Sequence, residues 1–187
     1  AFVEKDSSPD VLQPAIVKGG STTNPNDYWD HVDFCLDAMQ KRGMYAALLP
    51  FWGRRYVNAT HKGHSQKVFT KENIKQYGEF LGKRYGDLPH IIWVNGGDVK
   101  ATDGGDFTGE YRLLAEGLAK GITGQDVTWN SASPVWDKFF LTYHPDGSPM
   151  INSSKWFHND PWLDFNMIET HIHRAKLPAA IRQDLAL

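Results

Sequence analysis

The chain has 187 residues, of which 41% are hydrophobic, so it holds one domain's worth of sequence with enough apolar side chains for a sizeable core. Its net charge of -2 provides no strong field toward nucleic acid or an anionic membrane, and we expect neither as a partner. No stretch approaches the roughly 18 apolar residues that a membrane span needs.

Strand and helix patterns alternate along the chain after a long polar loop over residues 4–26. The first helix carries an apolar stripe that includes the single cysteine, Cys35, which we expect to be buried. In chain order, the predicted elements are a strand tail (1–3), a helix from Asn26 or Asp27 to about Arg42, a buried strand (44–50), a helix capped by Thr70 and ended by Gly86, a strand (90–95), a helix (110–120), a helix or strand (127–136), a strand (139–143), a strand (163–169) and a helix (178–187).

The apolar segment over residues 90–95 is the starting point for predicting the fold and the site. A short apolar run without alternation is typical of a strand buried on both faces, as in a parallel sheet. It stops at Gly96-Gly97-Asp98, which places a carboxylate at the carboxyl end of a buried strand, where α/β folds bind their ligands. A turn with a capping aspartate explains the same residues equally well, so this segment alone leaves both roles open.

The alternation of strands and helices indicates βαβ units and a parallel sheet. Polar and aromatic clusters follow the strands, whereas the links from helix to strand are short, and this asymmetry is typical of a (β/α)8 barrel. A doubly wound open sheet is the alternative, but no glycine-rich phosphate loop is present. Because a full barrel needs about 250 residues, we expect residues 1–187 to be an internal part of one larger catalytic domain, with barrel strands missing at both ends.

Five segments of the chain lie at predicted strand ends or in the loops that follow them: 48–53, 91–98, 142–145, 153–158 and 161–168. Together they resemble the apiosidase-like glycoside hydrolases, the group around glycoside hydrolase family 140. They run in the family's order over roughly residues 28–187. The resemblance implies a (β/α)8 catalytic domain, often followed by a β-rich domain. It also implies the removal of pectic side chains at an apiose linkage with retention of configuration, and this substrate class favours a secreted or periplasmic enzyme.

By the same resemblance, the strand over residues 90–95 is the fourth of the barrel, and Asp98 is the general acid/base. Retaining glycosidases pair such an acid with a nucleophilic carboxylate roughly 5 to 5.5 Å away. The family's nucleophile is a glutamate at the end of the seventh strand, which would lie beyond Leu187. We therefore expect this chain to run from the end of strand 2 through helix 6 and to be inactive alone. Many related barrels carry Asn-Glu where this chain has Gly97-Asp98, so its acid is one methylene shorter.

Further candidates lie at or after strand ends. Trp52, Tyr143 and Trp156 offer aromatic faces for sugar stacking, with packing at the barrel rim as the alternative. Arg54 or Arg55 could pair with a uronate carboxylate, with an exposed pair on a loop as the alternative. Glu169, where the family often has glutamine, could bind a hydroxyl group, be structural or be catalytic. The complete set of predicted substrate-binding residues is Trp52, Arg54, Asn95, Tyr143, His144, Trp156, Asn166, Glu169 and His171.

Two other functions stay open at this stage. The first is a carbohydrate-binding barrel that keeps the aromatic residues but has lost catalysis. The second is a metal-dependent hydrolase in which His144, His171 and His173 supply the ligands. In sugar hydrolases such histidines more often bind hydroxyl groups, so we expect no metal and no cofactor.

Overall fold

A computed structural model describes residues 28–63, 65–147, 151–169, 175 and 177–186. The predicted strand tail, the polar loop over residues 4–26 and the cap of the first helix lie outside these residues. The helices are α1 (Tyr28–Gln40), α2 (Gly53–Tyr56), α3 (Ile74–Tyr85), α4 (Thr108–Thr123), α5 (Ser154–Phe157) and α6 (Leu177–Asp184), and the strands are β1 (Ala46–Leu48), β2 (Ile91–Gly96) and β3 (Phe140–His144).

The three strands form one parallel sheet in the order β1-β2-β3. Leu48 pairs with Trp93, and Val94 pairs with Thr142 in the register of the two ladders. Helices connect consecutive strands, so the predicted α/β class with a parallel sheet is confirmed for the described residues. None of the helices in this part of the chain is long and apolar enough to cross a membrane.

Strand β2 lies at the centre of the sheet and is buried, as its apolar run predicts. Trp93 and Val94 are each 1% exposed. Strand β1 differs from the prediction of a buried strand, because Ala47 is exposed. Ala47 stands in register with Ile92, and Ile92 with Phe140, so these three residues form a row on the less covered face of the sheet.

Helices α3 and α4 pack closely through small residues. A Cβ atom added to Gly78 would lie 2.6 Å from the Leu114 carbonyl oxygen, and one added to Gly82 would lie 2.6 Å from that of Leu118. The two helix backbones therefore touch where glycine has no side chain. Helix α4 in turn holds β2, because Asn95 Nδ2 donates to the Tyr111 carbonyl oxygen (3.2 Å).

The start of α3 shows how a capping box can form without a carboxylate. The Thr70 N–H donates to Asn73 Oδ1 (2.9 Å), and the Glu72 N–H donates to Thr70 Oγ1 (3.3 Å). The amide oxygen of Asn73 thus takes the place of the usual Glu or Gln carbonyl group in the reciprocal pattern. The regular helix begins at Ile74, four residues after the predicted cap.

The predicted strand over residues 163–169 is wrong. This segment lies beside β3, but within the described residues it forms only an isolated antiparallel bridge. One backbone bond joins the segment to β3, from the Asp164 N–H to the Leu141 carbonyl oxygen (3.0 Å). Side chains supply further bonds: the Leu141 N–H donates to Asp164 Oδ2 (2.7 Å), and Thr142 Oγ1 donates to the Phe165 carbonyl oxygen (2.6 Å). The prediction of a helix or a strand over residues 127–136 is wrong too, since neither forms there apart from the 3-10 turn Trp136–Lys138, which begins at the last of these residues.

The predicted burial of Cys35 is wrong as well. Trp29 and Leu36 carry the buried side of α1, with exposures of 3% and 4%, and Cys35 lies outside that stripe. Its Sγ atom is 3.7 Å from His31 Nε2 on the exposed side of the helix. The apolar stripe is therefore narrower than the sequence pattern indicates.

Candidate active site

The carboxyl ends of the three strands open onto a cleft of about 670 Å³. Each lining residue ends or follows a strand, except Glu169, which ends the segment beside β3. Two carry positive charge, three carry carboxylates, and one is a tryptophan. They are Trp52, Arg54, Asp98, Lys100, His144, Asp146, Gly147 and Glu169.

The turn after β2 directs Asp98 into this cleft. Gly96, Gly97 and Asp98 have φ angles of +85°, +112° and +50°, so three consecutive residues occupy the left-handed side of backbone space. Glycine adopts such angles without strain, whereas Asp98 needs support from its surroundings. A Cβ atom on Gly96 would lie 2.6 Å from the His144 carbonyl oxygen, so the turn also needs glycine for close approach to β3.

Three hydrogen bonds fasten this turn to its neighbours. The Gly97 N–H donates to the His144 carbonyl oxygen (3.1 Å), and the Arg54 N–H donates to the Gly97 carbonyl oxygen (3.4 Å). The Asp98 N–H donates to His144 Nδ1 (3.1 Å). The turn is therefore bound both to α2 and to the end of β3.

The Asp98 carboxylate is half-buried and reachable from the cleft. Its side chain is 33% exposed, and Oδ2 accepts a hydrogen bond from Arg54 Nη1 at 3.0 Å. The ion pair orients the carboxylate and leaves Oδ1 free of any direct bond to the arginine. A carboxyl group placed in this way can exchange a proton with a molecule bound in the cleft.

His144 and Glu169 also line the cleft. His144 Nδ1 is 3.9 Å from Glu169 Oε2, and this oxygen is buried without a hydrogen-bond partner among the described residues. Trp52 is 40% exposed, and its ring centroid lies 6.0 Å from that of His144 at an angle of 49°. The cleft thus combines carboxylates with one exposed aromatic face.

Asn58 holds the loop that follows Asp98. Its Nδ2 donates to the carbonyl oxygens of Lys100 (3.1 Å) and Asp103 (2.8 Å), and its Oδ1 accepts from the Tyr111 hydroxyl (2.6 Å). Asn58 is only 6% exposed. The buried side-chain amide of Asn58 therefore holds the loop that bears Asp98 and Lys100 in place through hydrogen bonds.

The structure brings five of the predicted site residues together in the cleft. These are Trp52, Arg54, Asp98, His144 and Glu169. They come from four separate segments whose carboxyl ends meet at one edge of the sheet, which is the arrangement that parallel strands impose.

Two predicted substrate-binding residues belong to the core instead. Tyr143 is 0% exposed, and its hydroxyl donates to the Val99 carbonyl oxygen (2.8 Å), so it offers no face for stacking. Asn95 is also 0% exposed and points toward α4, as its bond to Tyr111 shows. Successive side chains of a strand point to opposite faces, and it is His144, the residue after Tyr143, whose side chain lines the cleft.

The remaining predicted residues do not line the cleft or are not described. Trp156 lies on α5, where its Nε1 donates to Thr102 Oγ1 (3.3 Å). Asn166 is half-buried in the segment beside β3. His171 and His173 lie outside the described residues, and among those that are described no group of His, Cys, Asp and Glu could hold a metal ion.

Sequence reasoning missed Lys100 and Asp146, which line the cleft. Each stands two residues beyond a residue that the sequence singled out, Asp98 and His144 respectively. Their position in loops that follow strands could have identified them. A charged residue a few positions past the end of a strand can line the cleft as well as the first residue after the strand.

Comparison with known proteins places this geometry in context. The model of the family described as "Apiosidase-like, catalytic domain" matches residues 4–186. Among solved structures, a glycoside hydrolase family 5 protein from Bacteroides vulgatus ATCC 8482 is 30% identical, with a TM-score of 0.57 over 76% of this chain and 25% of that chain. Another structure, described as a glycoside hydrolase, is 34% identical, with a TM-score of 0.53 over 75% of this chain and 25% of that one.

The matched part of this chain corresponds to only a quarter of each solved structure, since 25% of either one is covered. No curated protein matches the chain.

Proposed function

The chain belongs to the Apiosidase-like catalytic-domain family, and from that premise we propose that its cleft forms part of a glycoside hydrolase active site with Asp98 as the general acid/base. One observation carries the proposal: the carboxylate of Asp98 stands at the carboxyl end of the central strand, 33% exposed, in a cleft that an aromatic side chain lines. The similarity to two glycoside hydrolase structures supports the reaction class.

In this mechanism Asp98 donates a proton to the glycosidic oxygen as the bond to the leaving group breaks. It then removes a proton from the water that attacks the anomeric carbon in the second step. The bound turn fixes where the carboxylate stands, so that little reorganisation is needed at the moment of proton transfer. Trp52 stacks against a sugar ring, and Glu169 accepts hydrogen bonds from sugar hydroxyl groups.

We propose further that the three parallel strands belong to a (β/α)8 barrel. The limited share of the related structures that this chain covers, 25% of each, supports this view. The nucleophile in this proposal is a glutamate outside residues 1–187, roughly 5 to 5.5 Å from Asp98, and hydrolysis proceeds with retention. A β-rich domain completes the full-length protein, and residues 1–187 by themselves are inactive.

The proposed substrate is a plant cell-wall glycan of the pectic class that contains apiose, hydrolysed by a secreted or periplasmic enzyme. The family description supports the sugar. Because Arg54 is paired with Asp98, Lys100 supplies the ammonium group that favours the carboxylate of an acidic glycan in this cleft. The proposal includes neither a cofactor nor a nucleic-acid or membrane partner.

The test is Asp98→Asn in the full-length protein, assayed on two aryl glycosides with a good and a poor leaving group. We expect kcat/KM to fall on the order of 10²–10⁴-fold with the poor leaving group, because its departure needs a proton, and far less with the good one. Asp103→Asn is the matched control, since its side chain lies on the same loop and does not line the cleft.

Equal activity of Asp98→Asn and the native protein on both substrates would end the assignment of Asp98. Binding of the glycan without turnover by the native full-length protein would indicate a carbohydrate-binding barrel instead. The anomeric configuration of the first product, observed by NMR, tests retention.

A further inference from the structure

His144 Nδ1 lies between groups with opposite requirements. The Asp98 N–H, 3.1 Å away, can only donate a hydrogen bond. The Pro145 carbonyl oxygen, 2.9 Å away, can only accept one, and Glu169 Oε2, at 3.9 Å, lies beyond hydrogen-bonding distance. A single imidazole nitrogen carries either a hydrogen or a lone pair, so it serves one of these partners at a time.

The two contacts differ in what creates them. Pro145 is the next residue in the chain, so its carbonyl oxygen stays near the imidazole ring through local geometry alone. Asp98 is 46 residues away in sequence, and its N–H reaches Nδ1 only because the turn after β2 folds against the end of β3. The contact with Asp98 therefore depends on the tertiary structure, whereas the contact with Pro145 does not.

The hydrogen bond from the Asp98 N–H to His144 supports an unusual backbone conformation at Asp98. Its φ of +50° follows two glycines with φ of +85° and +112°, and a residue with a side chain holds such an angle only when its surroundings fix it. Gly97 is fixed by bonds to the His144 carbonyl oxygen and to the Arg54 N–H. The backbone of Asp98 itself is fixed through the imidazole.

We propose that His144 is a positioning residue, whose neutral imidazole carries its proton on Nε2 and accepts the Asp98 N–H at Nδ1, so that the carboxylate of Asp98 stays aimed into the cleft. This inference rests on the proposed function for the catalytic role of Asp98, but not for the hydrogen bond. It assigns His144 to the alignment of the acid/base rather than to contact with the substrate.

Two substitutions separate alignment from other roles. His144→Asn places an amide oxygen at the δ position, where it can accept the Asp98 N–H, whereas His144→Gln places its amide oxygen one bond farther out. With a poor leaving group, we expect kcat of His144→Gln to fall about tenfold, the equivalent of one hydrogen bond, with KM within about twofold of the native value. His144→Asn should keep most of the native kcat.

Equal losses of kcat in the two variants, or a loss expressed mainly as a higher KM, would overturn the proposal in favour of a structural or substrate-binding role. The ¹⁵N NMR spectrum of the native protein provides a test that needs no activity. The Nε2–H tautomer with slow exchange of the Asp98 amide supports the proposal, and the Nδ1–H tautomer refutes it. A native protein without glycosidase activity but with the expected tautomer would count against the proposed function alone.

Discussion

Replacement of Gly96 by alanine should destabilise the protein much more than the same replacement at Gly124. Both glycines have left-handed φ angles, +85° and +74°, so alanine strains the backbone at each by about 1–2 kcal/mol. At Gly124, which ends α4, the added Cβ meets no atom within 4 Å. At Gly96 it would lie 2.6 Å from the His144 carbonyl oxygen and 2.8 Å from the ring of Tyr143.

Neither of these neighbours can move freely. The carbonyl group belongs to β3, and the Tyr143 ring is fully buried. Relief of the contact requires β2 and β3 to separate at their carboxyl ends, and overpacking of this kind adds about 1–3 kcal/mol. We therefore expect Gly96→Ala to lower the free energy of unfolding by about 2–5 kcal/mol, against about 1–2 kcal/mol for Gly124→Ala.

Urea unfolding of the native protein and the two variants measures both values, and equal slopes with denaturant would show that the same surface is exposed in each case. The reasoning fails if Gly96→Ala loses no more stability than Gly124→Ala. That result would mean that the turn after β2 can shift away from β3 at little cost in free energy. The turn could then not be what fixes the position of the Asp98 carboxylate.

Three further outcomes follow from the contacts described above. Asn58→Ala should cost about 1–3 kcal/mol in urea unfolding, because it removes the amide that accepts from the buried Tyr111 hydroxyl and donates to two loop carbonyls, of which only that of Lys100 keeps a bond from the Asp103 N–H. Lys75→Met should lower the free energy of unfolding more than Lys83→Met, because Lys75 pairs with the buried carboxylate of Glu116, which is 7% exposed. Lys83 makes an exposed pair within one helix, which is worth only about 0.3–0.5 kcal/mol. Equal losses of unfolding free energy in the two variants would contradict this. Cys35 should react with a thiol reagent in the native state at a rate close to that in urea, and strong protection would contradict its exposed position.

The features that sequence predicted best depend on repeated patterns and on topology. The apolar run of β2 and the helical spacing of α3 and α4 identify these elements because burial selects for those periods. Parallel strands bring their carboxyl ends to one edge, so Asp98 and His144 could be placed near each other without any knowledge of their contacts.

The sequence did not show which of two adjacent side chains in a strand points toward the cleft and which points into the core. Tyr143 and His144 are adjacent in β3, and only one of them can point toward the cleft. Pattern alone does not say which, because the less covered face of this sheet also carries an apolar row. Asp164 is a different case, since its carboxylate binds a strand N–H that a backbone carbonyl would normally take.

The buried amide of Asn58 has a consequence for how this cleft can change during evolution. It binds the main-chain carbonyl oxygens of residues 100 and 103, and every amino acid supplies that group. The loop can therefore keep its path while the side chain at position 100 is exchanged for one of another charge or size. Selection can alter the ligand preference of the cleft at Lys100 by single substitutions, without first rebuilding the scaffold that holds Asp98.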